Sequence, residues 1–408
     1  MQYTSGVVMD PTRDEDTRRS RRATPPRRGK GGRTGRRGGD PLWAKLLVIF
    51  GALLMLGSGG VIVAEKMIFS AATQSINETN LLDPAAPQQH VSINGAKNIL
   101  LVGIDTRPNQ NPLEGVRADS IIILHIPAAH DRAYLISIPR DTYVEIGPFN
   151  NGASPYRGGH SKINAAFSFG GQGLTGLESR KKGFVLLQQT IKKNYGIDFQ
   201  AGAIVDFEGF QQVVSVLGGV TMNVDELTES IHIGYDAKTG KQKAPSYMVD
   251  SRAYHVKGVT PKTYKPGVQH LAAWEALDYV RQREWLPDGD YGRQRHQQQF
   301  IKAIFKEILS SNTLSDPPKL RKVLDVVGKA MTIDGGGIGL EDWIYAMRNI
   351  GSNDMMTIKT NGGDFVSFTQ GTDTYEQLND TSLQLMNAVR TDTVENFVAA
   401  HTDWVSAS

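Results

Sequence analysis

Three apolar runs in this sequence end or begin in charge. Asn98–Asp105 (NILLVGID) closes on a carboxylate, Asp119–Ile126 (DSIIILHI) opens on one, and Arg132–Ile138 (RAYLISI) leads into Pro139, Arg140 and Asp141. Pro127–Asp131, between the second and third runs, has the length of a β-hairpin loop. A turn centred near Ala129/His130 sets a register in which Asp119 faces Arg140 at the open end. If the first strand runs parallel to the third, Asp105 reaches the same end. A charged strand end is often no more than a salt bridge. Three separate segments converging on one place favour a site.

A second group of charges follows. Gly267–Asp278 (GVQHLAAWEALD) shows helical spacing at Leu271, Trp274 and Leu277/Asp278. Arg281 and Arg283 lie two apart, so they diverge on a helix but share a face on an extended segment. The helix is therefore expected to end near Tyr279, with both arginines pointing one way. Asp288-Gly289-Asp290 reads as a turn, with Asp290 capping a helix that begins at Tyr291. On that helix Arg293 and Gln297 are i, i+4 neighbours, continued by Phe300, Ile301 and Ile304 as its buried stripe. Arg293 and Gln297 are thus expected on the inward face at the helix N-terminus, where free N–H groups and the dipole favour an anion.

Asp105 and Asp119 with Arg107, Arg117, Arg140, Arg281, Arg283 and Arg293 form a cluster that is costly to assemble without a strong anion at its centre. Guanidinium forks bind phosphate oxygens bidentately. Two carboxylates beside phosphates suit Mg²⁺, with Mn²⁺ as its substitute. The absence of Cys removes thiolate chemistry, and no Ser/His pair has triad spacing. The chemistry left is a metal–arginine clamp on a diphosphate undergoing displacement.

The elements that position these groups follow from composition. The 408-residue chain carries a formal charge of +3, but residues 1–45 hold 12 of its 45 Lys/Arg and 5 of its 42 Asp/Glu. The rest is slightly acidic, which argues against a globally basic nucleic-acid binder, and the Arg-rich tail lacks the interleaved aromatics of one. Residues 1–41 are expected to be a disordered basic tail. Leu46–Ala64 (LLVIFGALLMLGSGGVIVA) is uncharged and long enough to span a bilayer as a helix. Residues 42–64 are therefore expected to be a single transmembrane helix. The basic flank places the N-terminus in the cytoplasm and the remainder outside. Residues 65–92 read as a stalk and 93–310 as the catalytic domain, an α/β fold because strand-like and helix-like patterns alternate. Residues 311–408 read as an extension packed on it, with helices at Leu320–Met331, Leu340–Ile350 and Leu383–Val389 and a strand at Met356–Thr360.

Several blocks in order resemble the LytR-CpsA-Psr family: Asp105, Arg117-Ala-Asp119-Ser120, Ser137-Ile-Pro-Arg140-Asp141, Lys162-Ile-Asn-Ala-Ala166, Asp206-Phe-Glu-Gly-Phe210, Leu217-Gly-Gly-Val220, Ala276-Leu-Asp-Tyr-Val-Arg281-Gln-Arg283 and Asp290-Tyr-Gly-Arg293-Gln-Arg-His-Gln297. They span roughly residues 98–308. The resemblance implies a mixed central β-sheet flanked by helices and a lipid-binding pocket. It implies a membrane-anchored, extracytoplasmic phosphotransferase that moves a glycopolymer from a polyprenyl-pyrophosphate carrier to peptidoglycan, at the C6 hydroxyl of N-acetylmuramic acid. By the same resemblance Asp105 and Asp119 hold Mg²⁺. Arg117, Arg140, Arg281 and Arg283 grip the pyrophosphate, Asp290, Arg293 and Gln297 complete the wall, and Arg107 and Lys162 support it. Asp105, Asp119 and Arg140 are the catalytic set. His296 departs from the pattern, standing where many members carry a further Arg.

Hydrolysis of the same lipid-linked pyrophosphate, and a non-catalytic membrane-tethered regulator, remain the alternatives. Gly171-Gln-Gly173-Leu-Thr-Gly176 matches a dinucleotide fingerprint but follows no strand. The nine histidines show no ligand spacing, which argues against a zinc site.

Overall fold

In a β-strand alternate side chains face opposite ways, so a strand apolar at nearly every position must be covered on both faces. Ile121–Ile126 is such a run, and the computed structural model places it at the centre of a sheet. The structure describes residues 81–82, 93–104, 111–250, 252–308, 317–339, 343, 347, 350–351 and 354–405. These belong to one unit, Gly60–Ser408. Expectations for the tail, the Leu46–Ala64 run and most of the stalk lie outside the described residues, as do Asp105 and Arg107. Among the described residues no helix is long and apolar enough to cross a membrane.

The chain runs β1 (Lys97–Ile104), β2 (Ala118–Ile126), β3 (Ala133–Ser137), β4 (Tyr143–Ile146), β5 (Gly159–Lys162), α1 (Ile163–Gly171) and α2 (Gly176–Tyr195). Next come β6 (Ala201–Asp206), α3 (Phe207–Leu217), β7 (Val220–Val224), β8 (Thr228–Asp236), β9 (Ser246–Val249), β10 (Arg252–His255), β11 (Val259–Tyr264) and β12 (Gly267–Leu271). Then follow α4 (Ala273–Arg281), α5 (Gly289–Ile308), α6 (Pro317–Ala330), β13 (Met331–Asp334) and β14 (Met355–Ile358). The described chain closes with β15 (Ser367–Gln370), β16 (Asp373–Glu376), α7 (Asp380–Thr391) and α8 (Val394–Ala400).

The central sheet is mixed, in the order β13-β6-β1-β2-β3-β14. β2 pairs antiparallel with β1 and with β3, so β1 and β3 run the same way. The hairpin pairs Ile122 with Ser137 and Ile123 with Ile136, the register expected from the centre of its loop. One face, with Leu100, Val102, Ile123 and Ile136, packs on Phe167 of α1 and Phe184 of α2. The other, with Ile99, Ile122, Leu124 and Leu135, faces Ile301 and Phe305 of α5.

Three boundaries differ from expectation. Gly267–Leu271 is a strand paired with β7, because the cross-strand partner outweighs a helical spacing that begins only at Leu271. The helix that follows runs on to Arg281, so Arg281 is helical and Arg283 is not. Asp290 lies inside the first turn of α5, which starts at Gly289, and does not cap it. Beyond residue 310, β13 and β14 add the two outer strands of the central sheet, so the stretch read as an extension shares the core.

Helix α5 is pinned to the sheet by a buried amide. Gln298 donates from Nε2 to Ser137 Oγ at 2.9 Å and to the carbonyls of Leu135 and Ile358 at 3.3 Å. Gln298→Ala should cost about 1–3 kcal/mol, measured by urea denaturation. Adding Ser137→Ala to that variant should cost little more, since the hydroxyl has already lost its donor.

Candidate active site

The end of the sheet where β1 and β6 finish and β2 begins carries the charges. Gly103 pairs with Ser120 but Ile104 pairs with Ala118, so Asp119 is the extra residue of a β-bulge, opposite nothing on β1. A bulge re-aims the side chain it carries. Asp119 Oδ1 accepts from Arg140 Nη1 at 2.7 Å, the pairing that the hairpin register dictates. Arg140 leaves β3 on a turn closed by Thr142, whose N–H and hydroxyl both donate to Pro139 O at 3.0 and 2.6 Å.

From the other side α5 brings Asp290 and Arg293. Arg293 Nη2 lies 2.6 Å from Asp290 Oδ1 and donates at 3.3 Å to the Asp119 carbonyl. Arg140 Nε stands 3.7 Å from Asp290 Oδ1 and from Asp141 Oδ2. Asp141 also takes Lys162 Nζ at 3.0 Å. The structure thus brings together Asp119, Arg140, Asp290 and Arg293, with Lys162 one carboxylate away. Arg283 pairs with Glu284 but lies close enough to act electrostatically on Asp290 and Arg293. Arg281 is half-buried at the end of α4, and Arg117 is exposed just before β2.

What this group lacks is partners. Arg140 Nε, Arg293 Nε, Asp290 Oδ1 and Gln297 Oε1 are all buried without a hydrogen bond, the 2.6 Å approach to Asp290 being misdirected for one. Arg293 is 9% exposed. Its burial pushes the guanidinium pKa down, Arg140 adds repulsion, and Asp290 opposes both only in part. At Arg140 burial also works against the charge, but Asp290, Asp119 and Asp141 outweigh it and the pKa is raised. A buried and a half-buried guanidinium, each with a buried Nε–H that meets no acceptor, form a site for an anion.

Beside it lies an apolar cavity of ≈330 Å³ between the sheet and helices α3, α5 and α6. Gly103, Ser120 and Gln297 are in its wall near the charged end, with Ala203, Phe300 and Ile304 further along. Its volume falls within the range of about 300–1,000 Å³ usual for ligand sites. Helix α5 therefore shows one continuous stripe, Arg293 and Gln297 at its N-terminal end and then Phe300, Ile301 and Ile304.

Residues that sequence reasoning passed over hold this arrangement. Buried Asp278 accepts from Ser230 Oγ at 2.9 Å, Tyr264 Oη at 2.8 Å and Gln282 Nε2 at 3.0 Å, bolting the end of α4 to β8 and β11. Asp206, paired with Ile104 across β6, caps α3 through Gly209 N at 2.9 Å and binds Arg180 at 2.9 Å. Nothing local in the sequence marks Asp278, whose role shows only in its burial. Gly171, Gly173 and Gly176 form the link between α1 and α2, with no βαβ unit around them.

Burial pushes the Asp290 carboxyl up, but Arg293 and Arg140 overcome it and hold the pKa below the ordinary value. The stability it lends is complete above its unfolded pKa of about 3.9 and is lost as pH falls through the lower folded value. Asp290→Asn should therefore flatten the acid limb of a stability curve followed by circular dichroism between about pH 5 and pH 2.

A model of the LytR_cpsA_psr family matches residues 66–391. The cell wall biosynthesis protein LcpA of Corynebacterium glutamicum is 28% identical over 317 residues, 73% of this chain and 56% of LcpA. The polyisoprenyl-teichoic acid–peptidoglycan teichoic acid transferase TagU of Oceanobacillus iheyensis is 28% identical over 301 residues, 72% of this chain and 77% of TagU. The crystal structure of TagV from B. subtilis superposes with a TM-score of 0.51 at 21% identity, covering 74% of this chain and 99% of that one, and so shares the fold. With a family model spanning most of its length, and with a mixed sheet flanked by helices, this chain belongs to the LytR-CpsA-Psr family.

Proposed function

We propose that this chain transfers a glycopolymer, through its terminal sugar phosphate, from a polyprenyl-pyrophosphate carrier to a hydroxyl of peptidoglycan, the C6 hydroxyl of N-acetylmuramic acid. One observation carries the reading. Buried guanidinium N–H groups without acceptors lie beside an apolar cavity whose wall starts at Ser120 and Gln297, one turn of α5 from Arg293, which suits a molecule with a phosphate head and a hydrocarbon tail. TagU, by its name, acts on a polyisoprenyl-linked teichoic acid. The anchored topology, with a cytoplasmic N-terminus and an extracytoplasmic catalytic domain, belongs to the same proposal and rests on the Leu46–Ala64 run and its basic flank.

Arg140 and Arg293 hold the phosphate oxygens, with Arg117, Arg281 and Arg283 as further grips. Asp290 keeps both inner guanidiniums charged and in place, and Gln297 stands where head meets tail. The donor set fits Mg²⁺ or Mn²⁺, because Asp119 offers carboxylate oxygens beside unmatched guanidiniums, and Mg²⁺ takes one or two protein carboxylates with phosphate oxygens and water. Held by Asp105 and Asp119, the ion would neutralise charge on the diphosphate. The acceptor hydroxyl attacks the phosphorus that carries the sugar, forming the new O–P bond as the bond to polyprenyl phosphate breaks. A site carboxylate takes the hydroxyl proton. Each isoprenoid carbon buried in the cavity adds to carrier binding at about 0.8 kcal/mol per CH₂.

In a reaction containing a polyprenyl-pyrophosphoryl sugar, peptidoglycan oligomers and Mg²⁺, the parent should attach sugar phosphate to the glycan. Arg140→Ala and Arg293→Ala should each lower kcat about 10²-fold or more. Release of soluble sugar phosphate with or without acceptor would show hydrolysis instead. Ala203→Phe, which fills the cavity, should raise KM for the lipid and leave the phosphate grip intact.

A further inference from the structure

A second group of ionisable side chains lies on the opposite side of α5's first turns. Asp225 and Glu226 follow β7, Asp288 precedes α5, and Arg295 ion-pairs with all three carboxylates. One guanidinium against three carboxylates leaves two negative charges unbalanced.

His296 is the next residue of α5. It is 0% exposed, and neither ring nitrogen has a hydrogen-bond partner. Its ring lies nearly flat against Tyr279, with centroids 4.1 Å apart and an interplanar angle of 20°, and this packing fixes its direction. Nε2 points at Asp225 Oδ1, 3.6 Å away, and at Glu226 Oε1, 3.9 Å away. These distances are too long for hydrogen bonds. They are close to the separation of about 3.3 Å between two ligands of one tetrahedral zinc with bonds near 2.0–2.1 Å. One ligand atom from each of the three residues lies within 4.8 Å of the other two. Arg295 takes the far oxygen of Asp225, Oδ2, and pairs with Glu226 Oε1, while Asp225 Oδ1, turned to the histidine, accepts from Tyr279 Oη at 3.4 Å.

We propose that Asp225, Glu226 and His296 bind a divalent transition-metal ion, Zn²⁺ before all others. An imidazole with two carboxylates is a ligand set for zinc, while Mg²⁺ and Ca²⁺ favour oxygen alone. The ion balances the two excess charges and meets the buried imidazole. It ties α5 to the end of β7 at the turn that carries Arg293 and Gln297, so its role toward the phosphate wall is positional. The scattered histidines gave no sign of this, since the ligands come from segments far apart in sequence and two of them are not histidine.

The test is metal binding by the full chain, stripped with a chelator and then titrated with Zn²⁺ alone. Bound metal would be counted by mass spectrometry after gel filtration, and affinity measured by calorimetry. The expected result is one Zn²⁺ per chain and a rise in Tm on addition. Affinity should fall at least tenfold in His296→Gln and in Asp225→Asn and be unchanged in Asp119→Asn, each variant first checked as folded by circular dichroism. No zinc bound by the parent, or equal affinity in folded His296→Gln, would overturn the proposal. The readout does not depend on transfer activity.

Discussion

Burying a guanidinium is expensive unless every N–H meets an acceptor, and buried Arg293 and half-buried Arg140 each keep a buried Nε unmet. Neighbouring carboxylates supply part of what is missing. Asp119 meets Arg140, and Asp290 stands between Arg140 and Arg293. The site so formed is under-filled, with donors still facing inward. Much of the surrounding structure serves to keep these charges from relaxing into solvent. The bulge turns Asp119 toward the pair, the turn after Pro139 holds Arg140, and Gln298 fixes the register of α5 on β3. Asn361, donating to Tyr291 Oη at 2.9 Å, secures the first turns of the same helix.

The second consequence concerns α5 as a surface. Its inward stripe begins with Arg293 and Gln297 and continues with Phe300, Ile301 and Ile304, so one helix provides both the polar and the apolar wall. The cavity is largely apolar because most strand residues facing it are small or aliphatic, including Gly103, Ala201 and Ala203, with Asp206 and Asp334 as exceptions. Phe300, stacked on Phe210 with centroids 3.9 Å apart, holds α3 against α5 along this wall. An amphiphile laid along α5 would find its head and tail matched in order.

The central hairpin and its charged end were legible because loop length fixes register, and register fixes which residues face each other. The same logic carried Asp119 to Arg140 without a structure. It did not show the bulge, since whether Asp119 pairs with β1 depends on a tertiary ladder and leaves no local mark. Gly267–Leu271 was misread as helix because its partner β7 lies far back in the chain. Asp278 and Gln298 look like ordinary polar residues of amphipathic helices, and only burial shows what they hold. The share of residues 331–358 in the central sheet was hidden for the same reason, as edge strands four residues long carry too little pattern to place themselves.

The most direct measurement compares the affinities of farnesyl pyrophosphate, farnesol and inorganic pyrophosphate by calorimetry in the presence of Mg²⁺. If the unmet guanidiniums hold the head and the cavity holds the tail, farnesyl pyrophosphate binds far more tightly than either part alone. Farnesol binding as well as the pyrophosphate would contradict the clamp. Inorganic pyrophosphate binding as well as the lipid would contradict the cavity as the carrier's site.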